Sequence, residues 1–186
     1  MAELERNHDV EIEWLPYELR PEPVPLPDVA GPDGDRFRQN WERGVAPLAA
    51  QFGVEMHFPP VKPRSRLAHE AAESARDHGE FDAMRQAIFR AYFVENRDIG
   101  LPAVLAEVAR EAGLDAARLR SALDSGQYTQ RVADLEQVSR RLGVSAVPTI
   151  VIGGLGVQGV RPYSVLRQVL EEAQQQAASA GAERQS

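Results

Sequence analysis

The 186 residues include no cysteine. Dithiol exchange, disulfide cross-links and thiolate metal sites all depend on that side chain, so this chain supplies none of them from its own residues. Histidine is scarce too. His8, His57, His69 and His78 are scattered rather than set at ligand spacing, and no metal site is expected. No apolar run approaches the ~20 residues that span a bilayer, and Met1-Ala2-Glu3-Leu4-Glu5-Arg6 lacks the basic-then-apolar order of a secretory signal. The expectations are no membrane and a cytoplasmic location. Positive charge is outnumbered, with 21 Lys and Arg against 28 Asp and Glu for a net charge of -7. The arginines lie dispersed among acids, as on solvated helix faces, which argues against a nucleic-acid partner.

What remains is ample for a core. At 43% hydrophobic and 26% charged, the chain is expected to form one domain over 1–186. Val10, Ile12 and Trp14 alternate with acids and predict a strand over 10–17 with one buried face. Pro21, Pro23, Pro25, Pro27 and Pro32 then stiffen a long connection, because each fixes its own φ. Phe37, Trp41, Val45, Leu48 and Phe52 recur at helical spacing, with Pro47 expected to kink or break the helix and Gly53 to end it. Val54–Phe58 reads as a short strand or an extended turn. Residues 65–143 are helical by pattern, through stripes such as Leu67, Ala71, Ala72, Ala75 and Phe81, Met84, Ile88, Tyr92. Ser65 and Asp115 suit N-caps, and Gly79 and Gly113 suit left-handed C-caps. Val132, Leu135, Val138 and Leu142 predict the last helix before Gly143.

Several chemical motifs fail their context tests. Gly154-Leu155-Gly156-Val157-Gln158-Gly159 matches G-x-G-x-x-G, but too little chain follows for the helix, strand and acid of a dinucleotide site. A tight hairpin turning at Gly153 and Gly154 is the expectation. His69-Glu70-Ala71-Ala72-Glu73 begins like a zincin helix but places Glu73 where a second histidine must stand. It is read as solvated helix surface. There is no G-x-S-x-G elbow, and Ser65, Ser74, Ser121, Ser125, Ser139 and Ser164 fall at helix ends or on helix faces, where serine caps or is solvated. No cofactor is expected.

The stretch with mechanistic content is Gly143-Val144-Ser145-Ala146-Val147-Pro148-Thr149-Ile150-Val151-Ile152-Gly153-Gly154. A small-residue turn leads through Val-Pro-Thr into a β-branched strand, the pattern of a cis-proline loop, since X-Pro is where a cis peptide is cheap. With His69 to Phe81, Ile88 to Phe93, Asp98-Ile99 and the opening Val10 to Leu19, this stretch resembles the DsbA-like thioredoxin-fold oxidoreductases. The resemblance covers most of the chain and is closest to the subgroup with 2-hydroxychromene-2-carboxylate isomerases and kappa-class glutathione transferases.

The resemblance implies an α/β thioredoxin-like fold with a large helical insertion. The core would span 1–36 and 144–178, the insertion 37–143, and a disordered tail 179–186. In the family, the first strand and the Cys-x-x-Cys or serine helix precede the point matched by Met1, which would fall inside that helix. The edges at 10–17 and 149–152 would then lack a partner, and closure on each other, a homodimer or another chain could fill the gap. The family places an extended peptide or thiol substrate at the cis-proline loop, implying Val147 and Pro148 as substrate-binding residues with His57 and Phe58 near the same cleft. The implied function is that of a thiol–disulfide oxidoreductase family protein, inactive alone. A non-redox peptide- or partner-binding module and a glutathione-dependent isomerase or transferase relative remain as alternatives.

Overall fold

The structure is a computed structural model and describes residues 1–183. The chain divides into two compact units, one of Met1–Leu19 with Asp134–Ser186 and one of Arg20–Ala133.

The first unit opens with α1 (Ala2–Asn7) and continues as an extended segment to Leu19. The second half of α8 (Thr129–Arg141) follows, then β1 (Thr149–Ile152), β2 (Leu155–Gln158) and α9 (Tyr163–Glu183). The two strands pair antiparallel with Ile152 opposite Leu155, so the turn has two residues. Those are Gly153 and Gly154, at φ of 57° and 86°, as the hairpin reading requires. A Cβ on Gly153 would stand 2.6 Å from the Cβ of Ala173, so position 153 excludes a side chain on space as well as on backbone angle. Leu4 of α1 and Leu166 and Leu170 of α9 form the core here, packed by Val10, Ile150, Ile152, Val157 and Tyr163. The tail expected over 179–186 lies outside the described residues from 184 onward, and α9 runs through the rest of it.

The strand expected over 10–17 is not there. These residues are extended but join no sheet, and the only strands among the described residues are β1 and β2. Alternation reports a half-buried extended chain; a strand also needs a neighbouring backbone to pair with. At its far end the segment is tied to side chains instead. The Glu18 N–H donates to Glu136 Oε1 at 2.8 Å, and Ser139 Oγ donates to the Pro16 carbonyl at 3.0 Å. Ser139 is therefore buried rather than solvated, at 2% exposure, and Glu136 is buried beside it.

The second unit is helical. α2 (Pro32–Asn40) passes through a π-turn (Trp41–Val45) into α3 (Ala46–Gln51). Pro47 has no N–H to return to the preceding turn, and the ladder widens just before it, with Ala46 N–H bonded back to the Trp41 carbonyl. The helix is thus widened rather than broken. Val54–Phe58 forms no strand. The helices α4 (Arg66–Arg76), α5 (Phe81–Phe93), α6 (Pro102–Glu111) and α7 (Ala116–Ser125) follow. Asp115 caps α7 by accepting from the Arg118 N–H at 2.9 Å, and Gly79 and Gly113 take positive φ, as predicted. Ser65 stands at the start of α4 but makes no side-chain cap.

The core of this unit joins Ala68, Ala71, Ala72 and Ala75 of α4 to Met84, Ile88, Leu105, Val108, Leu119 and Leu123. Alanines on α4 let the neighbouring backbones approach, and Met84 and Leu105 fill the space with 0% exposure. The reading of His69–Glu73 as solvated surface is overturned, because Glu70 and Glu73 are 2% and 3% exposed. Glu70 accepts from Thr129 Oγ1 at 3.0 Å, and Glu73 accepts from Arg76 Nε at 3.1 Å. Polar partners thus accompany both carboxylates on the helix that carries the alanine stripe, although Glu70 Oε2 has none among the described residues.

Met84→Ala is expected to cost about 2–5 kcal/mol in denaturant unfolding, whereas Leu142→Ala, at 46% exposure, should stay within about 0.5 kcal/mol; equal costs would contradict this packing. Glu136→Ala should cost about 1–3 kcal/mol by stranding the buried Glu18 N–H, and Glu136→Gln, which retains a carbonyl acceptor, should recover most of it. An alanine variant as stable as the native chain would show that the segment is not held there.

Candidate substrate-binding loop and aromatic–cation cluster

α8 ends at Arg141, and Gly143 just beyond it has a φ of 78°. The Gly143 N–H bonds the Arg140 carbonyl at 3.0 Å and the Val144 N–H bonds Ser139 at 3.1 Å, a left-handed cap that turns the chain out of the helix. The loop beyond it is braced at both sides. Gln158 Nε2 donates to Ser145 Oγ at 3.3 Å, and Thr149 Oγ1 donates to the Ala146 carbonyl at 2.6 Å. The Val147–Pro148 peptide bond is cis, and a second cis bond lies at Glu22–Pro23. The Pro148 carbonyl accepts from the Gly159 N–H at 2.8 Å, extending the hairpin by one bond. Val147 is different. Its side chain is 47% exposed, and neither its N–H nor its carbonyl has a partner among the described residues.

The other two residues singled out from sequence, His57 and Phe58, belong to the helical unit, while Val147 and Pro148 belong to the hairpin unit. His57 is held by backbone. Its N–H bonds the Phe93 carbonyl at 2.6 Å, its Nδ1 donates to the Val94 carbonyl at 2.7 Å, and Glu55 Oε1 lies 3.6 Å from Nε2. This exposed ring meets a backbone carbonyl and a carboxylate, neither of them a nucleophilic hydroxyl. Phe58 joins an aromatic row, edge-on to Trp41 at 5.9 Å, with Trp41 stacked on Phe93 at 6.3 Å and Phe93 on Phe89 at 5.9 Å. Arg38 and Lys62 approach the Phe58 ring, and Arg20, Arg36 and Lys62 approach Phe37. Arginines dispersed in the sequence are thus gathered in space, which their spacing along the chain does not reveal.

Burial pushes the Tyr92 hydroxyl up to about 12, with the Asp98 carboxylate adding to the shift. Its O–H donates to the Val61 carbonyl at 3.2 Å. Elsewhere in the same unit, the Arg131 guanidinium holds the Asp77 carboxyl below the ordinary range, through a 2.6 Å hydrogen bond. Among the described residues no group of three or more His, Asp or Glu is arranged to hold a metal ion. No helix of the described residues is long and apolar enough to cross a membrane.

A DsbA-like thioredoxin domain profile matches residues 1–171. The chain belongs to that family. An uncharacterised protein of Bacillus subtilis, YwbO, is 33% identical over 173 residues, covering 91% of this chain and 85% of that protein. A probable DsbA oxidoreductase from Streptomyces coelicolor superposes with a TM-score of 0.70 at 26% identity, covering 84% of this chain and 72% of the other. A 2-hydroxychromene-2-carboxylate isomerase superposes with a TM-score of 0.60 over 86% of this chain and 75% of its own, at 20% identity, and so bears on the fold alone. The fold is therefore DsbA-like: thioredoxin-type, largely helical, with a small two-stranded sheet. No cysteine is present among the 186 residues, so this chain's own side chains supply no thiol.

The sequence reading missed Glu136 and Ser139 as anchors of the segment before Arg20, and it missed Arg20, Arg38 and Lys62 as a cluster. The first pair carries no sequence signal beyond polar residues on the apolar face of a helix.

A neutral folded-state Tyr92 contributes stability that is fully present below the unfolded pKa of 10.0 and is lost as pH rises from there through about 12. Following tyrosinate absorbance in the native chain and in Tyr92→Phe should show that the variant loses the tyrosine ionising near 12, while Tyr128, also raised, remains. A Tyr92→Phe profile superimposable on the native one would refute this burial.

Proposed function

We propose that this chain holds an extended peptide for a thiol–disulfide oxidoreductase of the DsbA-like family and carries out no exchange with its own side chains. The observation that carries the reading is Val147, which has an exposed apolar side chain and an unpartnered backbone donor and acceptor at the entry to β1. An extended chain laid alongside such a position gains two main-chain hydrogen bonds and an apolar contact, the elements of β-type peptide recognition. The thioredoxin-like fold and the similarity to a probable DsbA oxidoreductase point the same way. Exchange begins with a thiolate attacking a disulfide sulfur, so any exchange in which this chain takes part draws its thiolate from outside these residues.

Two measurements test the reading. With dithiothreitol and insulin, addition of the chain should leave the rate at the reagent background, and turnover clearly above it would end the claim that its own side chains perform no exchange. In backbone amide NMR, a reduced, unfolded peptide should shift the Val147 and Thr149 signals, and Val147→Asp should weaken binding of an apolar peptide without unfolding a site this exposed. Absence of any peptide-dependent shift at these amides would end the binding claim.

A further inference from the structure

Lys62 is the only lysine in the sequence. It lies between α3 and α4, with its ammonium 5.7 Å from the centroid of Phe37 and 5.1 Å from that of Phe58. The Arg38 guanidinium of α2 is 4.8 Å from the Phe58 centroid, and that of Arg20, from the chain before α2, is 5.4 Å from Phe37. Three cations from three segments of the helical unit thus converge on two rings. Arg36 also approaches Phe37, at 5.8 Å, and Arg64 donates to the Arg20 carbonyl at 2.6 Å. Those two have carboxylates of their own, Asp33 at 3.1 Å from Arg36 and Glu22 at 3.5 Å from Arg64. No carboxylate among the described residues pairs with Arg20, Arg38 or Lys62.

In a chain where acids outnumber bases 28 to 21, three neighbouring cations without a counter-charge need a reason. The ring faces attract each cation by about 0.5–2 kcal/mol and orient it, but a ring bears no net charge and leaves the repulsion in place. The Lys62 ammonium accordingly falls below its ordinary range, through burial first and then through Arg20. The rings hold the cations in position without neutralising them.

We propose that Arg20, Arg38 and Lys62, seated on Phe37 and Phe58, form a binding site for the phosphate group of a small molecule. A guanidinium presents paired N–H donors that match two phosphate oxygens, and an ammonium adds a compact charge with rotatable donors. A carboxylate, with one charge and two oxygens, would leave part of the cluster uncompensated. The edge-on contact of Trp41 with Phe58 lines one side with apolar surface, which lowers the local dielectric and strengthens attraction to an anion. The site stands apart from the Val147 reading and is tested separately from it.

The test is calorimetry of the full chain at low ionic strength, with pyrophosphate as the phosphate probe and citrate as the carboxylate probe. Because there is one lysine, reductive methylation with a carbon-13 label gives a single side-chain signal besides that of the N-terminal amine, which reports Lys62 directly. Saturable one-to-one binding of pyrophosphate, tighter than that of citrate, should shift that signal and weaken as salt rises. Lys62→Met and Arg38→Gln should each weaken it about tenfold or more. Arg120→Gln, which removes the same charge from the exposed Arg120–Asp124 pair, should leave it unchanged, and thermal melts establish that each variant folds. The proposal is overturned by absence of saturable binding, by citrate binding as tightly as pyrophosphate, or by Arg120→Gln weakening binding as much as Lys62→Met. It is equally overturned if Lys62→Met lowers the melting temperature and leaves affinity intact, which would confine the cluster to its ring contacts.

Discussion

A backbone N–H shut away from water must find an acceptor, and the extended segment before Arg20 meets that demand without a strand beside it. Glu136 and Ser139, one turn apart on α8, take the Glu18 N–H and the Pro16 carbonyl. Side chains on a helix therefore do part of what a sheet ladder does elsewhere. The hairpin is left as the whole sheet among the described residues, and its apolar face closes on α1 and α9 through Leu4, Leu166 and Leu170. The cap at Gly143 aims the chain from that same helix into the loop that presents Val147. One helix thus anchors the extended segment and launches the candidate binding loop.

The helical unit solves a different problem. Alanines on α4 bring helices close, and the same helix carries two carboxylates into the interior, Glu70 and Glu73, with Thr129 and Arg76 as their partners. Glu73 is held by the Arg76 guanidinium, whereas Glu70 is satisfied at Oε1 alone and its Oε2 has no hydrogen-bond partner among the described residues. At Phe37 and Phe58 the balance runs the other way, since cations gather on rings that orient them without cancelling their charge. That contrast within one unit is the ground on which a phosphate site is proposed at the second place.

Membership of the DsbA-like family and absence of cysteine meet in this chain. Main-chain pairing with an extended peptide needs only backbone groups and an apolar side chain, while disulfide exchange needs sulfur, so the proposed binding role does not depend on a thiol.

The sequence by itself settled whatever depends on local backbone preference. Gly153-Gly154 demanded a two-residue hairpin, Asp115 capped its helix, Gly79 and Gly113 took positive φ, and the Val-Pro-Thr stretch with the helical block marked the family. The absence of cysteine excludes thiol chemistry by these residues. Tertiary structure decided what depends on distant neighbours. Alternation at Val10, Ile12 and Trp14 could not say whether a partner strand was alongside, and the charges of Glu70 and Glu73 could not announce that their partners would bury them. Residues 20, 38 and 62 could not be seen to converge on Phe37 and Phe58. Periodicity encodes which face of an element is apolar; which elements meet, and which charges they bring together, is set by packing.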